Sequence, residues 1–196
     1  MKALQLILRY ITYFFTAKGK HAAQAPFLYE LITQVINEST DDKNCHKIES
    51  LRKELCQSDK EIQITDFGAG STINNSKTRK IKDIAKNSAK NAKFGKLLYR
   101  IIQFYKPKNI IELGTSLGIS TSYLAKADTN ANIFTFEGCP VTATIAQENF
   151  DKQNIKNTSI TLGDFNLTLA NKLKEIATID LAFIDGNHQE KPTIDY

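Results

Sequence analysis

Cysteine is scarce in this 196-residue chain: Cys45, Cys56 and Cys139 are all it has, and no C-x-x-C pair occurs. A disulfide framework is excluded, and a reducing cytoplasm is the expected compartment. Structural zinc is excluded on the same ground, because Cys45-His46 and Cys56 lack the ligand spacing and a second pair. Long apolar runs are missing too. The opening stretch to Phe15 is broken by Arg9 and is too short to span a bilayer. No internal repeat is visible. With 41% hydrophobic, 24% charged and 9% aromatic residues, the composition excludes disordered, collagen-like and many-pass membrane chains. The length favours one domain with an appendage over two full domains.

What is present is unevenly distributed. Lys2, Gln5, Arg9, Thr12 and Thr16 recur at spacings of three and four, so residues 2–16 read as a helix with a narrow polar stripe and a broad apolar face. That face packs on the rest of the protein, joins a partner subunit in a homo-oligomer, or makes peripheral membrane contact. The net charge is +5, and between Lys77 and Lys108 eleven Lys/Arg face a single acid, Asp83. Such a block suits a polyanion such as RNA. The same segment carries Ile81, Ile84 and Ala85, then Phe94, Leu97, Leu98, Ile101, Ile102 and Tyr105, at helical spacing. Lysines on the solvated faces of two helices are therefore the favoured reading, and nucleic acid is not the expected partner.

Three regions follow from the pattern: a helical N-terminal extension over 1–60, loop and helices over 61–108, and an α/β core over 109–196. In the first, Ala25-Pro26-Phe27 opens a helix through Leu28, Leu31, Ile32, Val35 and Ile36, and a polar loop follows from Asn37 to Asn44. The second contains the alternation Ile62/Ile64 and the turn-rich Gly68-Ala69-Gly70-Ser71. In the third, strands are expected at Ile110–Leu113, Ile133–Glu137, Ser159–Leu162 and Ile179–Ile184. Helices are expected through Tyr123 to Ala125, over Val141–Phe150 and from about Leu167 to Ile176. Strands alternating with helices predict a parallel sheet, which binds ligands at the carboxyl ends of its strands.

The first of these strands runs into Glu112-Leu113-Gly114-Thr115-Ser116-Leu117-Gly118-Ile119-Ser120. Gly114 permits a tight turn and close approach of a ligand, Gly118 lets the next helix pack near the sheet, and that helix begins with free N–H groups. A dinucleotide fingerprint is absent, since Ser116 and Ile119 stand where its second and third glycines would be. The loop resembles the first motif of the class I S-adenosylmethionine-dependent methyltransferases. Its form, with a non-glycine in the middle place, is similar to the small-molecule O-methyltransferases related to the catechol and caffeoyl-CoA enzymes. Glu137, 23 residues after Gly114, ends the second strand, where an acid can accept both ribose hydroxyls. Asp180-Leu181-Ala182-Phe183-Ile184-Asp185-Gly186-Asn187-His188 resembles the D-x-x-F-I-D-G-x-H segment of the same enzymes.

The resemblance covers residues 95–196 and implies a Rossmann-like fold and S-adenosylmethionine as methyl donor. By similarity, Glu112 steadies the loop or meets the donor's amino group, and Gly114, Thr115, Ser116 and Gly118 line its amino-acid moiety. Ser120 suits the donor carboxylate, helped by the helix dipole. Glu137 and Gly138 face the ribose. Asp164 and Phe165 fall where the family surrounds adenine, with core packing as the alternative for Phe165. Cys139 falls where it would line the donor pocket. In metal-dependent relatives the acid at Asp185 holds a divalent cation such as Mg, and His188 has a suitable pKa for accepting a proton from a hydroxyl. The implied activity is methylation of a small-molecule hydroxyl, with Asp185 and His188 as catalytic residues. The alternatives are an RNA methyltransferase guided by 77–108 and a non-catalytic donor-binding remnant.

Two features depart from the family pattern. Asp66-Phe67-Gly68-Ala69-Gly70 also reads as acid-x-Gly-x-Gly, but no apolar helix start follows it and no strand-terminal acid follows at about twenty residues. It is expected to be a loop beside the donor site or a plain surface turn. The family sheet has seven strands and only four can be placed here, so the sheet is expected to be incomplete at its C-terminal side. The sequence is then either a fragment of a longer protein or a form lacking part of the sheet, with the fourth strand left at an edge.

Overall fold

A computed structural model describes residues 2–16, 25–65, 78–87, 89–186, 191 and 194. The chain divides into two compact units, Met1–Ser39 and Thr40–Tyr196.

In the first unit, α1 (Lys2–Thr16) matches the expected amphipathic helix, and α2 (Pro26–Glu30) opens on a proline in its first turn, where the missing N–H costs nothing. The expected helix does not run on regularly. Leu31–Ile36 is π-helical, a widened turn with i→i+5 bonds that periodicity alone does not foretell.

The second unit begins with α3 (Lys43–Leu55), capped by the Asp42 carboxylate, which accepts from the Asn44 N–H at 2.7 Å. β1 (Glu61–Gln63) pairs antiparallel with β2 (Thr78–Lys80), a short strand the sequence reading did not anticipate. α4 (Ile81–Asn87) and α5 (Ala92–Tyr105) follow, the latter capped by Asn91 and ended by Lys106 in the left-handed region. Cys45, Ile48, Leu51 and Leu55 of α3 pack with Ile81, Ile84 and Tyr99. This helix, grouped by sequence with the N-terminal helices, is thus built into the α/β unit.

From there β3 (Asn109–Leu113), α6 (Ile119–Ala127), β4 (Asn132–Glu137), α7 (Pro140–Lys152), β5 (Thr158–Leu162), α8 (Phe165–Glu175) and β6 (Leu181–Ile184) alternate as expected. The four strands are parallel, in the order β5-β4-β3-β6. After β5 the chain therefore crosses to the far side of β3, which creates a switch point at the carboxyl end of β3, the place where such sheets take ligands. Side chains alternate between the faces. Ile110 and Ile133 pack with Ile102, Leu124, Ala146 and Phe150, while Ile111, Leu113 and Phe136 pack with Leu169.

Two boundaries differ from expectation. The last strand starts at Leu181, because the Asp180 carboxylate turns back to accept from the N–H groups of Lys108 and Asn109, at 2.8 and 2.9 Å. α8 starts at Phe165, because Asp164 caps it. Among the described residues β6 is a sheet edge, with Ala182 and Ile184 exposed.

Candidate functional site

The loop after β3 is held at three points. Gly114 and Thr115 both donate from their backbone N–H to the Phe136 carbonyl at 3.0 Å, and Asp185 N–H donates to the Leu113 carbonyl at 2.9 Å. The ends of β3, β4 and β6 are thereby tied together. Gly114 has φ +103°, and a Cβ there would lie 3.0 Å from the Asp185 carbonyl oxygen, so no other residue fits without backbone movement. Ser116 takes a left-handed conformation, φ +52°, although it has a side chain. Gly118, at φ +77°, opens α6, and a Cβ on it would meet the Phe150 ring at 2.6 Å.

Two carboxylates flank this loop. Glu137 ends β4 half-buried, and both its oxygens accept backbone N–H groups, Oε2 from Ser116 at 2.7 Å and Oε1 from Cys139 at 2.8 Å. Glu137 thus fixes the strained Ser116 and keeps lone pairs for further donors. Gly138, also half-buried, follows it. Cys139 is buried and precedes α7, and its sulfur accepts from Thr65 N–H.

Glu112 is wholly buried. Its Oε2 accepts from the hydroxyls of Thr121, at 2.5 Å, and Thr135, at 2.7 Å. Thr135 also bonds Thr115. Glu112 Oε1 is buried with no hydrogen-bond partner. Burial pushes this carboxyl up to about 7, countered by the hydroxyls of Ser120, Thr121 and Thr135, while the negative charge of Asp185 raises it further. A buried acceptor without a donor is costly and is retained where a ligand supplies the donor. The ammonium of an amino-acid moiety suits Oε1, so the residues present fit the amino-acid end of S-adenosylmethionine.

Asp185 follows β6 with its carboxylate 13% exposed, and its Oδ1 is paired with the Lys90 ammonium at 2.7 Å. Lys90 comes from the connection between α4 and α5, and sequence had no means of singling it out among eleven basic residues. Among the described residues no group of three or more His, Cys, Asp or Glu is placed to hold a metal ion. Asp185 keeps one oxygen on the Lys90 ammonium, and the described residues alone do not assemble a divalent-cation site around it.

The third loop is joined to the others by Gly163 N–H, which donates to the Glu137 carbonyl at 2.9 Å. Asp164 Oδ1 accepts from Asn166 N–H at 2.9 Å, as a helix cap. Phe165 packs edge-on to Phe136, with ring centroids 6.4 Å apart, and a Cβ on Gly186 would meet its ring at 2.6 Å. Core packing is thus a role Phe165 fills. Of the sequence-derived site residues, Glu112, Gly114, Thr115, Ser116, Gly118, Ser120, Glu137, Gly138 and Asp185 converge at the ends of β3, β4 and β6. His188 and the Asp66–Gly70 segment lie outside the described residues. Thr121 and Thr135 were missed; both fall on the face of Glu112, Thr135 opposite it in the strand register.

At least five of the eleven basic residues in the 77–108 segment make contacts within the fold. Lys80 and Lys82 pair with Asp59, Lys90 with Asp185, and Lys96 and Arg100 bond Thr40.

Comparison with known proteins places this arrangement. Residues 111–196 match a family model described as a methyltransferase domain. The chain is 35% identical over 96 residues to the catechol O-methyltransferase of Niastella koreensis, covering 47% of this chain and 43% of that protein. An O-methyltransferase from Bacillus cereus, crystallised with SAH, superposes with a TM-score of 0.54 at 18% identity, covering 85% of this chain and 63% of that one. A methyltransferase from Podospora anserina, also bound to SAH, gives 0.53 at 19% identity, covering 77% and 53%. The chain thus spans about half the length of the relatives it matches. Residues 111–196 are thus similar in sequence to a methyltransferase domain, and the α/β unit, with its parallel sheet, shares the fold of these two solved methyltransferases.

Proposed function

We propose that this chain is an S-adenosylmethionine-dependent methyltransferase acting on a hydroxyl of a small molecule. The observation that carries the reading is the unpartnered Oε1 of the buried Glu112, set at the switch point beside the Gly114 turn. Glu137, Gly138 and the Ser116 loop take the ribose side. Asp164 and Phe165 border the adenine side, and Ser120 the donor carboxylate. The donor supplies an electrophilic methyl group on a sulfonium. The protein's part is to hold the acceptor oxygen in line with that methyl at near-attack distance and to exclude water.

Asp185 and His188 are the groups assigned to the acceptor. His188 takes the hydroxyl proton, for which an unperturbed imidazole near pH 6.5 is suited. Asp185, held by Lys90, orients the hydroxyl. Catechol, the acceptor in the name of the Niastella relative, is the first to try. The three cysteines are free in the structure, in keeping with a cytoplasmic setting. No described helix is long and apolar enough to cross a membrane.

Calorimetric titration of S-adenosylmethionine and its demethylated product into this chain tests the reading, with Glu137→Ala as control. Micromolar binding that falls at least about tenfold in the variant is expected, since the variant loses the ribose acceptor and frees the Ser116 loop. A folded chain that binds neither compound overturns it.

A further inference from the structure

We propose that α1 anchors the protein to the surface of an anionic lipid bilayer, lying in the headgroup boundary with its apolar side chains among the acyl chains. The inference concerns the Met1–Ser39 unit alone and does not depend on the methyltransferase reading.

Large apolar side chains stand exposed along the whole helix: Leu6 at 70%, Tyr10 at 66%, Tyr13 at 66%, Phe14 at 67% and Phe15 at 81%. An apolar surface this continuous marks an interaction site. The polar stripe is poorer than its composition suggests. Thr12 donates to the Leu8 carbonyl at 2.9 Å and Thr16 to the Thr12 carbonyl at 2.8 Å, so both hydroxyls are satisfied within the helix and need no water. At about 1.5 Å per residue the 15-residue helix is roughly 22 Å long, short of the ~30 Å of a hydrocarbon core. Over its described residues it is long enough to lie on a bilayer and too short to cross one. Its aromatic end carries Tyr10 and Tyr13, whose amphipathic rings settle at headgroup level, beside the wholly apolar rings of Phe14 and Phe15.

Charge decides between a bilayer and a second copy of the chain. Lys2, Arg9, Lys18 and Lys20 precede the first acid, Glu30, and supply four of the chain's five net positive charges. An anionic leaflet attracts such a segment, at a strength that falls within a Debye length and with added salt. A second copy would bring the same uncompensated charges together. A basic helix with a broad apolar face and no acid is the composition of an interfacial helix.

The test is sedimentation of the full chain with vesicles of phosphatidylcholine alone and of phosphatidylcholine containing about a third phosphatidylglycerol. Partitioning at least about tenfold stronger on the anionic vesicles is expected, and it should weaken in high salt. Phe14→Asp should lower binding about tenfold on both vesicle types, whereas Arg9→Gln should lower it on the anionic vesicles only. Neither residue belongs to the Thr40–Tyr196 unit, so the thermal transition of that unit reports folding in both variants. A wild-type chain that stays in the supernatant with both vesicles overturns the proposal, as does a Phe14→Asp chain that binds as well as wild type. So does a dimer, seen by light scattering, that Phe14→Asp dissociates without any vesicle binding; that outcome assigns the face to a second copy.

Discussion

Glu112→Gln separates the charge of the buried carboxyl from its shape. In the unliganded protein, burial lifts this group from an ordinary 4.5 to about 7. Between those two values the folded chain holds a proton that the unfolded chain has released. The stability linked to Glu112 is therefore fully present below about pH 4.5 and is lost as the pH rises to about 7. Each pH unit in that window removes about 1.4 kcal/mol, for a total of about 3 kcal/mol, or roughly 6 to 12 °C in Tm for a chain of this size. Glutamine fills the same space, meets the same threonine hydroxyls and does not titrate. Urea unfolding of both proteins from about pH 4.5 to about pH 7.5 should show the wild type losing about 3 kcal/mol relative to the variant. The donor's ammonium demands the ionised carboxylate, so the affinity of wild type for S-adenosylhomocysteine should rise across the same window. In Glu112→Gln it should be weaker and flat with pH. Parallel stability curves for the two proteins would refute the reasoning, because burial would then not be governing the ionisation of Glu112.

Three further outcomes are expected. Gly118→Ala should lose about 2 to 3 kcal/mol in urea unfolding, since the new methyl meets Phe150 at 2.6 Å on a left-handed backbone. Ser116→Gly should gain up to about 1 kcal/mol in the same assay, by relieving the left-handed serine at φ +52°. Lys90→Met should leave S-adenosylhomocysteine affinity within about twofold of wild type in calorimetry while slowing methyl transfer about tenfold, with Lys90→Arg restoring most of the rate.

The loop after β3 was legible because its chemistry is local. The apolar run Ile110-Ile111, the turn at Gly114, the helix opening at Gly118 and the acid at Glu137 each state a backbone requirement that a single sequence displays. Contacts made across the chain were not legible. Thr121 and Thr135 read as ordinary helix and strand residues until the fold sets both against Glu112. Lys90 reads as one lysine in a basic block, and only the return of β6 beside β3 brings Asp185 to it. Nothing in residues 43–55 alone told that α3 packs with Ile81 and Ile84 of α4 and with Ile119 and Tyr123 of α6. The π-helical turn at Leu31–Ile36 shifts hydrogen bonds without disturbing the apolar spacing, so the pattern could not reveal it.

The strand order also bears on time. β3 gains its second neighbour only when β6 arrives, and Asp180 closes a contact with Asn109 across 71 residues, with two further strands and three helices in between. Such long loops close late in folding, because their entropy must be met before their contacts form. During synthesis the β3–β4–β5 layer can assemble early, with the turn at Gly114 already bonded to Phe136 on one side. Its other wall, the Asp185 backbone, comes last. The surroundings of the Gly114 turn are therefore completed by the final described strand, and a nascent chain that pauses before Asp180 would present a formed but one-sided sheet to chaperones.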